Sequence, residues 1–353
     1  MFTLCNSFLL RQPHKVLLYK NAFYTTFCEQ SSRFKVIPSK LSMKEKILAY
    51  ADLSKTRLSS LVVLTTLAGY ALPSFETFDV KIMAVTCIGT ALCSFSANTM
   101  NQLIEVPFDA QMARTRNRVL PRHSLSSLHA LSFGLATGVA GSALLFSIHP
   151  YVGLIGAGNI LLYSFIYTPL KRISFWNTWI GAIVGALPPL IGSCAANPLC
   201  FSSPSTWILP MLLFAWQFPH FNSLSWNLRK DYSKAGYRML SVLDPAKNTL
   251  VSLKYSLAMF GVAAYAYFID FATPMFLLNS SLLNGALCFY AYKFHQERTE
   301  KSARKLFFFT LIYLPAIMAL LIFHKKREGQ SCVSFAKIHS KLQASNPCMN
   351  PLE

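Results

Sequence analysis

The sequence predicts an all-α polytopic membrane protein, a bundle of nine transmembrane helices with polar active-site loops on one side. Three observations carry that expectation. Of 353 residues, 53% are apolar and only 13% are charged, where a soluble protein carries about a quarter, and mean hydropathy is +0.38. Apolar runs long enough to cross a hydrocarbon core roughly 30 Å thick recur along the chain. Lys and Arg are confined almost wholly to alternate connections between those runs, as the positive-inside rule requires.

The nine runs fall at about 58–75, 82–101, 128–147, 150–169, 175–196, 205–222, 250–270, 273–291 and 306–323. Four Lys/Arg lie between Leu41 and Arg57, four between the second and third runs, two between the fourth and fifth, and five each in the sixth-to-seventh and eighth-to-ninth connections. The opposite connections hold Lys81 alone. All basic loops are therefore expected on the side of the N-terminus. Lys325-Lys326-Arg327 falls on the other side and does not fit this scheme.

Residues 1–40 differ from the rest of the chain. Arg11, Lys15, Lys20, Arg33, Lys35 and Lys40 stand among several Ser and Thr with one acid, Glu29. Such a basic, acid-poor start with no apolar signal core predicts a mitochondrial transit peptide or a disordered basic arm. The membrane domain is then expected over 41–325 and a polar tail over 326–353. The nine cysteines form no C-x-x-C pair and read as small apolar side chains; Cys194 and Cys200 flank a loop and could pair, though nothing in the sequence requires it. A net charge of +19 does not indicate nucleic acid, because no recognition motif accompanies it. Short basic loops are explained by topology and by the anionic lipid of the membrane.

The segment from Asn98 to Arg118 bears the densest chemistry. Asn101, Glu105 and Asp109 succeed one another at steps of four, and Arg114, Arg116 and Arg118 come next. Residues four apart share a helical face, so an amide and two carboxylates could converge on one hard cation. Mg²⁺ takes one or two carboxylates and leaves its other positions to water and substrate phosphate. Oxygen ligands beside arginines at a membrane edge suggest a diphosphate joined to an apolar tail. Pro107 is expected to kink or end the helix, leaving Asp109 to close the site from a loop. A second polar loop holds His220 and Asn222 at a span end, then Arg229, Lys230, Asp231 and Lys234. Asp231 could complete the metal site or simply pair with Lys230 or Lys234. Lys171 and Arg172, after Pro169, could anchor the fourth span at the membrane edge or bind phosphate. All three loops come after even-numbered spans and can meet over one cavity.

These residues resemble the UbiA-type intramembrane prenyltransferases, and within them the mitochondrial branch that farnesylates protohaem IX. The resemblance runs from about Leu53 to about Phe323. Asn101, Glu105 and Asp109 match the first acidic motif, with Glu105 in place of the Asp usual in bacterial members, and Arg114-Thr115-Arg116-Asn117-Arg118 matches its continuation. The block from Tyr167 to Arg172, Asn177 and the Gly185–Gly192 segment match the centre, and Trp216 to His220 with Lys230-Asp231-Tyr232 match the second active loop. Lys55 and Arg57 match the basic pair opening the first span.

The resemblance implies Mg²⁺ on Asn101, Glu105, Asp109 and Asp231, which are also the expected catalytic set. It implies diphosphate binding by Arg114, Arg118, Lys171, Arg172 and Lys230, and haem binding by His220. Farnesyl diphosphate and protohaem IX would be the substrates and haem O and diphosphate the products, a step toward haem A for cytochrome c oxidase. The next enzyme of haem A synthesis would be a partner, and the chain would lie in the mitochondrial inner membrane with its active loops toward the matrix. A polyprenyltransferase acting on a quinone-ring precursor is the alternative. The single acid of the second loop and the Arg-Thr-x-Asn-Arg run favour haem.

Overall fold

Polar caps and prolines set the helix boundaries. In the computed structural model, which describes residues 42–72, 79–197 and 200–326, the helices are α1 (Met43–Leu53), α2 (Thr56–Ala71), α3 (Val80–Asp109), α4 (Ser127–Ile148), α5 (Pro150–Ile173), α6 (Asn177–Ala196), α7 (Ile208–Asn227), α8 (Arg229–Lys234), α9 (Leu240–Leu243), α10 (Pro245–Phe268), α11 (Pro274–Glu297) and α12 (Glu300–Phe323). The side chains of Asp79, Ser126, His149 and Asp244 accept from the first free N–H groups of α3, α4, α5 and α10, satisfying donors that helix starts leave open. Thr299 and Ser302 form a reciprocal capping box at α12. The expected transit segment and all of the expected tail but Lys326 lie outside the described residues.

Long helices occur at all nine places that hydropathy marks. Six of them, α3, α4, α5, α6, α10 and α12, are each long and apolar enough to cross a membrane. The sequence runs underestimate length: α3 continues past the expected end at residue 101, to Asp109. Pro107 neither ends nor releases it. A proline lacks the N–H that would bond to the carbonyl four residues back, yet the following turn still closes, with Ala110 N–H bonded to Val106 O at 3.2 Å. Asp109 is thus held on the helix as its last residue, correcting the expected loop position.

From Ile47 onward the helices pack in two sets. α3 packs on α4 and α2, α2 on α6, and α5 on α4, α6 and α3; α7 packs on α10 and α12, with α11 between those two, and α6–α7 contacts join the sets. Each set has its own apolar core, one around Leu145, Val152 and Ile191, the other around Met259, Phe276, Leu306 and Tyr313. The α2–α6 seam is backbone against backbone. A Cβ on Gly192 would fall 2.0 Å from Thr66 O, and one on Gly69 2.0 Å from Pro189 O, the close approach that small residues permit in membrane helix pairs. Cys194, near the end of α6, is disulfide-bonded.

One of the basic residues after α12 has an acidic partner. Lys326 pairs with Asp270, its N–H bonds to Phe271 O, and Thr273 N–H bonds to His324 O. The α10–α11 connection and the end of α12 therefore lie together, and Asp270 neutralises one of the cations that the sequence leaves unexplained.

Candidate active site

The site grows from the last three turns of α3. Asn101, Glu105 and Asp109 are 1%, 4% and 1% exposed, on one face as their spacing requires. A buried carboxylate persists only with a partner, and each of these residues has a cation. Lys55 Nζ donates to Asn101 Oδ1 at 2.9 Å, Lys171 Nζ meets Glu105 Oε1 at 2.7 Å, and an Arg118 guanidinium nitrogen meets Asp109 Oδ2 at 2.6 Å. Lys171 and Arg118 thus balance the two carboxylates, and Lys55, beside the amide, adds positive charge when it is protonated.

Local backbone devices aim those cations. Lys55 ends the α1–α2 turn with φ 47, a left-handed conformation that a non-glycine residue holds only when its surroundings enforce it. Burial of its ammonium, with repulsion from Arg118 and Lys171, pushes the Lys55 pKa down to about 7. Within α5, Leu162–Tyr167 forms a π-helical stretch. The wider turn rotates the end of α5, as such bulges do at functional sites, and brings Thr168 and Lys171 to α3. Asn101 Nδ2 donates to Thr168 Oγ1 at 2.9 Å, and Thr168 Oγ1 donates to Tyr163 O at 2.8 Å. Lys171 Nζ also lies 4.5 Å from the Tyr167 ring centre. Beyond α3, Thr115 Oγ1 donates to Asp109 O at 2.9 Å, folding the Arg-rich turn back so that Arg118 reaches its carboxylate.

The second loop is tied to the first by backbone. Arg238 N–H bonds to Lys171 O at 2.7 Å, and Asn177 Nδ2 donates to Arg238 O at 3.2 Å. Phe108, Met112, Tyr232, Tyr237 and Met239 pack into one cluster, so the α8 loop closes against the end of α3. Burial and the nearby Glu105 carboxylate hold the Tyr237 phenol well above its ordinary range. Arg172 lies 4.2 Å from the Phe108 ring centre, and Arg114 acts electrostatically on Tyr232. Arg114, Arg172 and Lys230 are exposed at the rim.

Asp231 stands apart from the α3 acids, and of its two sequence readings the local ion pair is not formed. It lies at the start of α8, half-buried, and pairs with neither Lys230 nor Lys234: the ion pairs among the described residues are Arg118–Asp109, Lys171–Glu105, Lys293–Glu297 and Lys326–Asp270. Among those residues no three His, Cys, Asp or Glu side chains converge as a metal cluster, so Asp231 does not join Glu105 and Asp109 as a third close carboxylate. The α3 acids sit on one rigid helix, whereas Asp231 belongs to a six-residue helix that packs through Tyr232.

The α3 residues nevertheless fit a hard cation. Asp109 Oδ1 is buried without any hydrogen-bond partner, a free oxygen beside Glu105 in a site rich in oxygen donors. Two carboxylates and an amide are the partial ligand set that Mg²⁺ accepts when phosphate supplies the rest.

His220, on α7, is held apart from these ion pairs by its own frame. Its ring stacks at 4.5 Å on Trp216 and at 4.9 Å on Phe307, and Nδ1 lies 2.9 Å from Thr310 Oγ1. Sequence reasoning gives Lys55 only as one of a basic pair opening the first span and Thr168 only as part of the matched block from Tyr167 to Arg172, and it misses Tyr237 and Thr310. Pro169, which cannot donate to its own preceding turn, is the available signal for an altered turn at Thr168.

Comparison with known proteins places this geometry. Residues 62–313 match the model of the UbiA prenyltransferase family. The human protein named protoheme IX farnesyltransferase, mitochondrial, is 42% identical over 280 residues, a match that takes in 79% of this chain and 62% of the human protein. The chain therefore spans less than two thirds of that relative's length. Among solved structures, a digeranylgeranylglyceryl phosphate synthase superposes with TM-score 0.69 at 15% identity, covering 79% of this chain and 98% of that one. A UbiA homologue of Archaeoglobus fulgidus bound to DMAPP and Mg²⁺ gives TM-score 0.57 at 14% identity, covering 77% and 98%; both likenesses concern the fold.

Proposed function

The chain belongs to the UbiA prenyltransferase family, and from that premise we propose that it transfers the farnesyl group of farnesyl diphosphate to a vinyl group of protohaem IX, giving haem O and diphosphate. The observation that carries the reading is the pair of buried ion pairs, Lys171–Glu105 and Arg118–Asp109, side by side at the end of α3. The human relative's name supplies the acceptor and the compartment. The active loops face the mitochondrial matrix in this reading, with nine spans oriented by the basic loops.

Asn101, Glu105 and Asp109 would hold Mg²⁺, and Asp231, which is not clustered with them in the ligand-free protein, would have to approach from the second loop to complete the set. Mg²⁺, when bound, supplies a Lewis acid that neutralises diphosphate charge. Lys171 and Arg118 neutralise the carboxylates in the ligand-free protein, and with the carboxylates on a metal they would be available to phosphate oxygens. Arg114, Arg172 and Lys230 extend the clamp at the rim. Cations fixed where negative charge develops on the leaving group lower the barrier to its departure. The allylic C–O bond breaks with its electron pair leaving on diphosphate, and the vinyl π pair forms the new C–C bond. Water adds to the resulting haem-side cation and loses a proton, giving the hydroxyethylfarnesyl group. The packed aromatic cluster of Phe108, Tyr232 and Tyr237 keeps water from the farnesyl cation before the vinyl group reaches it. His220 is the haem-facing residue.

Inverted inner-membrane vesicles given labelled farnesyl diphosphate and protohaem are expected to pass label to haem, and to stop when Mg²⁺ is chelated. Right-side-out vesicles, whose membrane the charged donor cannot cross, are expected to stay inactive. Label passing instead to a quinone-ring precursor would replace this function with the polyprenyltransferase alternative.

A further inference from the structure

We infer that Thr310 is a positioning residue that fixes the tautomer of His220, presenting the Nε2 lone pair of a neutral imidazole to the iron of protohaem. The inference rests on the haem-transfer reading above and deepens it. Proton accounting at one hydroxyl leads to it.

A threonine hydroxyl carries one proton and can accept through its lone pairs. Thr310 Oγ1 lies 2.6 Å from Phe307 O, as a donor to the carbonyl one helical turn back, the local bond that threonines habitually make inside helices. Its proton is committed there. The contact with His220 Nδ1 at 2.9 Å must then run the other way, with Nδ1–H donating and Thr310 Oγ1 accepting. A neutral imidazole protonated on Nδ1 carries its lone pair on Nε2. No other described residue claims that nitrogen.

The ring's orientation is fixed as firmly as its proton. Trp216 stacks on it with an interplanar angle of 19° and Phe307 with one of 30°. Trp216 Nε1 donates to the Thr310 carbonyl at 2.9 Å, so Trp216 and His220, one turn apart on α7, are both anchored by the same residue of α12. Thr310 is fully buried. Histidines that ligate metals ordinarily donate their second ring N–H to such a partner, which sets the tautomer and the ring plane. Here that partner is in place before any haem arrives.

The test is a spectrophotometric titration of the purified full chain with protohaem, read as dissociation constant and Soret position. Thr310→Val keeps the shape and removes the acceptor. It is expected to weaken haem binding about ten- to a hundredfold, the usual cost of losing such an outer partner, and to reduce the imidazole-ligated spectrum. Thr310→Ser restores the hydroxyl and should behave as wild type, which separates positioning from packing. Farnesyl diphosphate binding should be unchanged in both. An unaltered or tighter haem complex in Thr310→Val would overturn the inference, since tighter binding means that the hydroxyl had been donating to Nδ1 and holding the proton on Nε2. His220→Ala guards the underlying reading: a full wild-type spectrum there removes His220 as the iron ligand, whereas loss in His220→Ala with none in Thr310→Val sinks only the role of Thr310.

Discussion

Asp109→Ala is expected to cut farnesyl transfer about a hundred- to a thousandfold, the scale seen when one electrostatic contact to a developing charge is removed, while the protein stays folded in the membrane. Both halves come from the geometry. Asp109 offers an unpartnered buried oxygen to a metal, and Thr115 binds its backbone carbonyl rather than its carboxylate, so the Arg-rich turn keeps its anchor. Its partner Arg118 is 23% exposed and can turn to solvent when the carboxylate is lost. Turnover assays alongside detergent-extraction thermal melts check the expectation. Glu105→Asp should retain more activity than Glu105→Gln, because charge is kept though reach is shortened. Wild-type turnover in Asp109→Ala would place the metal elsewhere.

Lys171→Met is expected to harm stability as well as activity. Its ammonium and the Glu105 carboxylate are 11% and 6% exposed, and removing one partner of a buried pair leaves a stranded charge at a cost of about 3–5 kcal/mol. The double variant Lys171→Met with Glu105→Gln should recover most of that stability, since the uncompensated charge is gone, yet remain inactive. The contrast separates structural from chemical roles. If the single variant melts like wild type, the Lys171–Glu105 pair is not what holds α5 to α3.

The helices are legible in the sequence because membrane physics writes them plainly: long apolar runs and alternating basic loops leave few alternatives, and long helices occur at each of the nine places. Boundaries are less legible, because hydropathy ends where polar residues begin, not where hydrogen bonding ends. Glu105 and Asp109 are too polar to count as span, yet they continue α3 because their carboxylates meet Lys171 and Arg118 inside the bundle. The four-residue spacing marks the shared acidic face, and the end of α5, which carries Lys171, and the Arg-rich turn after α3, which carries Arg118, bring both cations to it.

Pattern alone does not reveal which cation meets which acid. Lys55 lies 46 residues before Asn101, and only a left-handed turn aims it there. Thr168 depends on a π-helical turn, and Thr310 on the α7–α12 packing, neither of which leaves a periodic trace. The motif match makes Asp231 look like a third close carboxylate. Its place on a short helix at the loop gives it a different reach from the two acids of α3.

The central claim is that the α3 acids and the cations around them are one metal–diphosphate centre. Mn²⁺ can stand in for Mg²⁺ as a paramagnetic probe, and electron–nuclear double resonance of the purified protein with a non-hydrolysable farnesyl diphosphate analogue tests that claim directly. The expected result is a ³¹P coupling from diphosphate bound to the ion, with bound Mn²⁺ lost in the Glu105→Gln, Asp109→Asn double variant. Mn²⁺ binding and phosphorus coupling that survive unchanged in that variant would contradict the account.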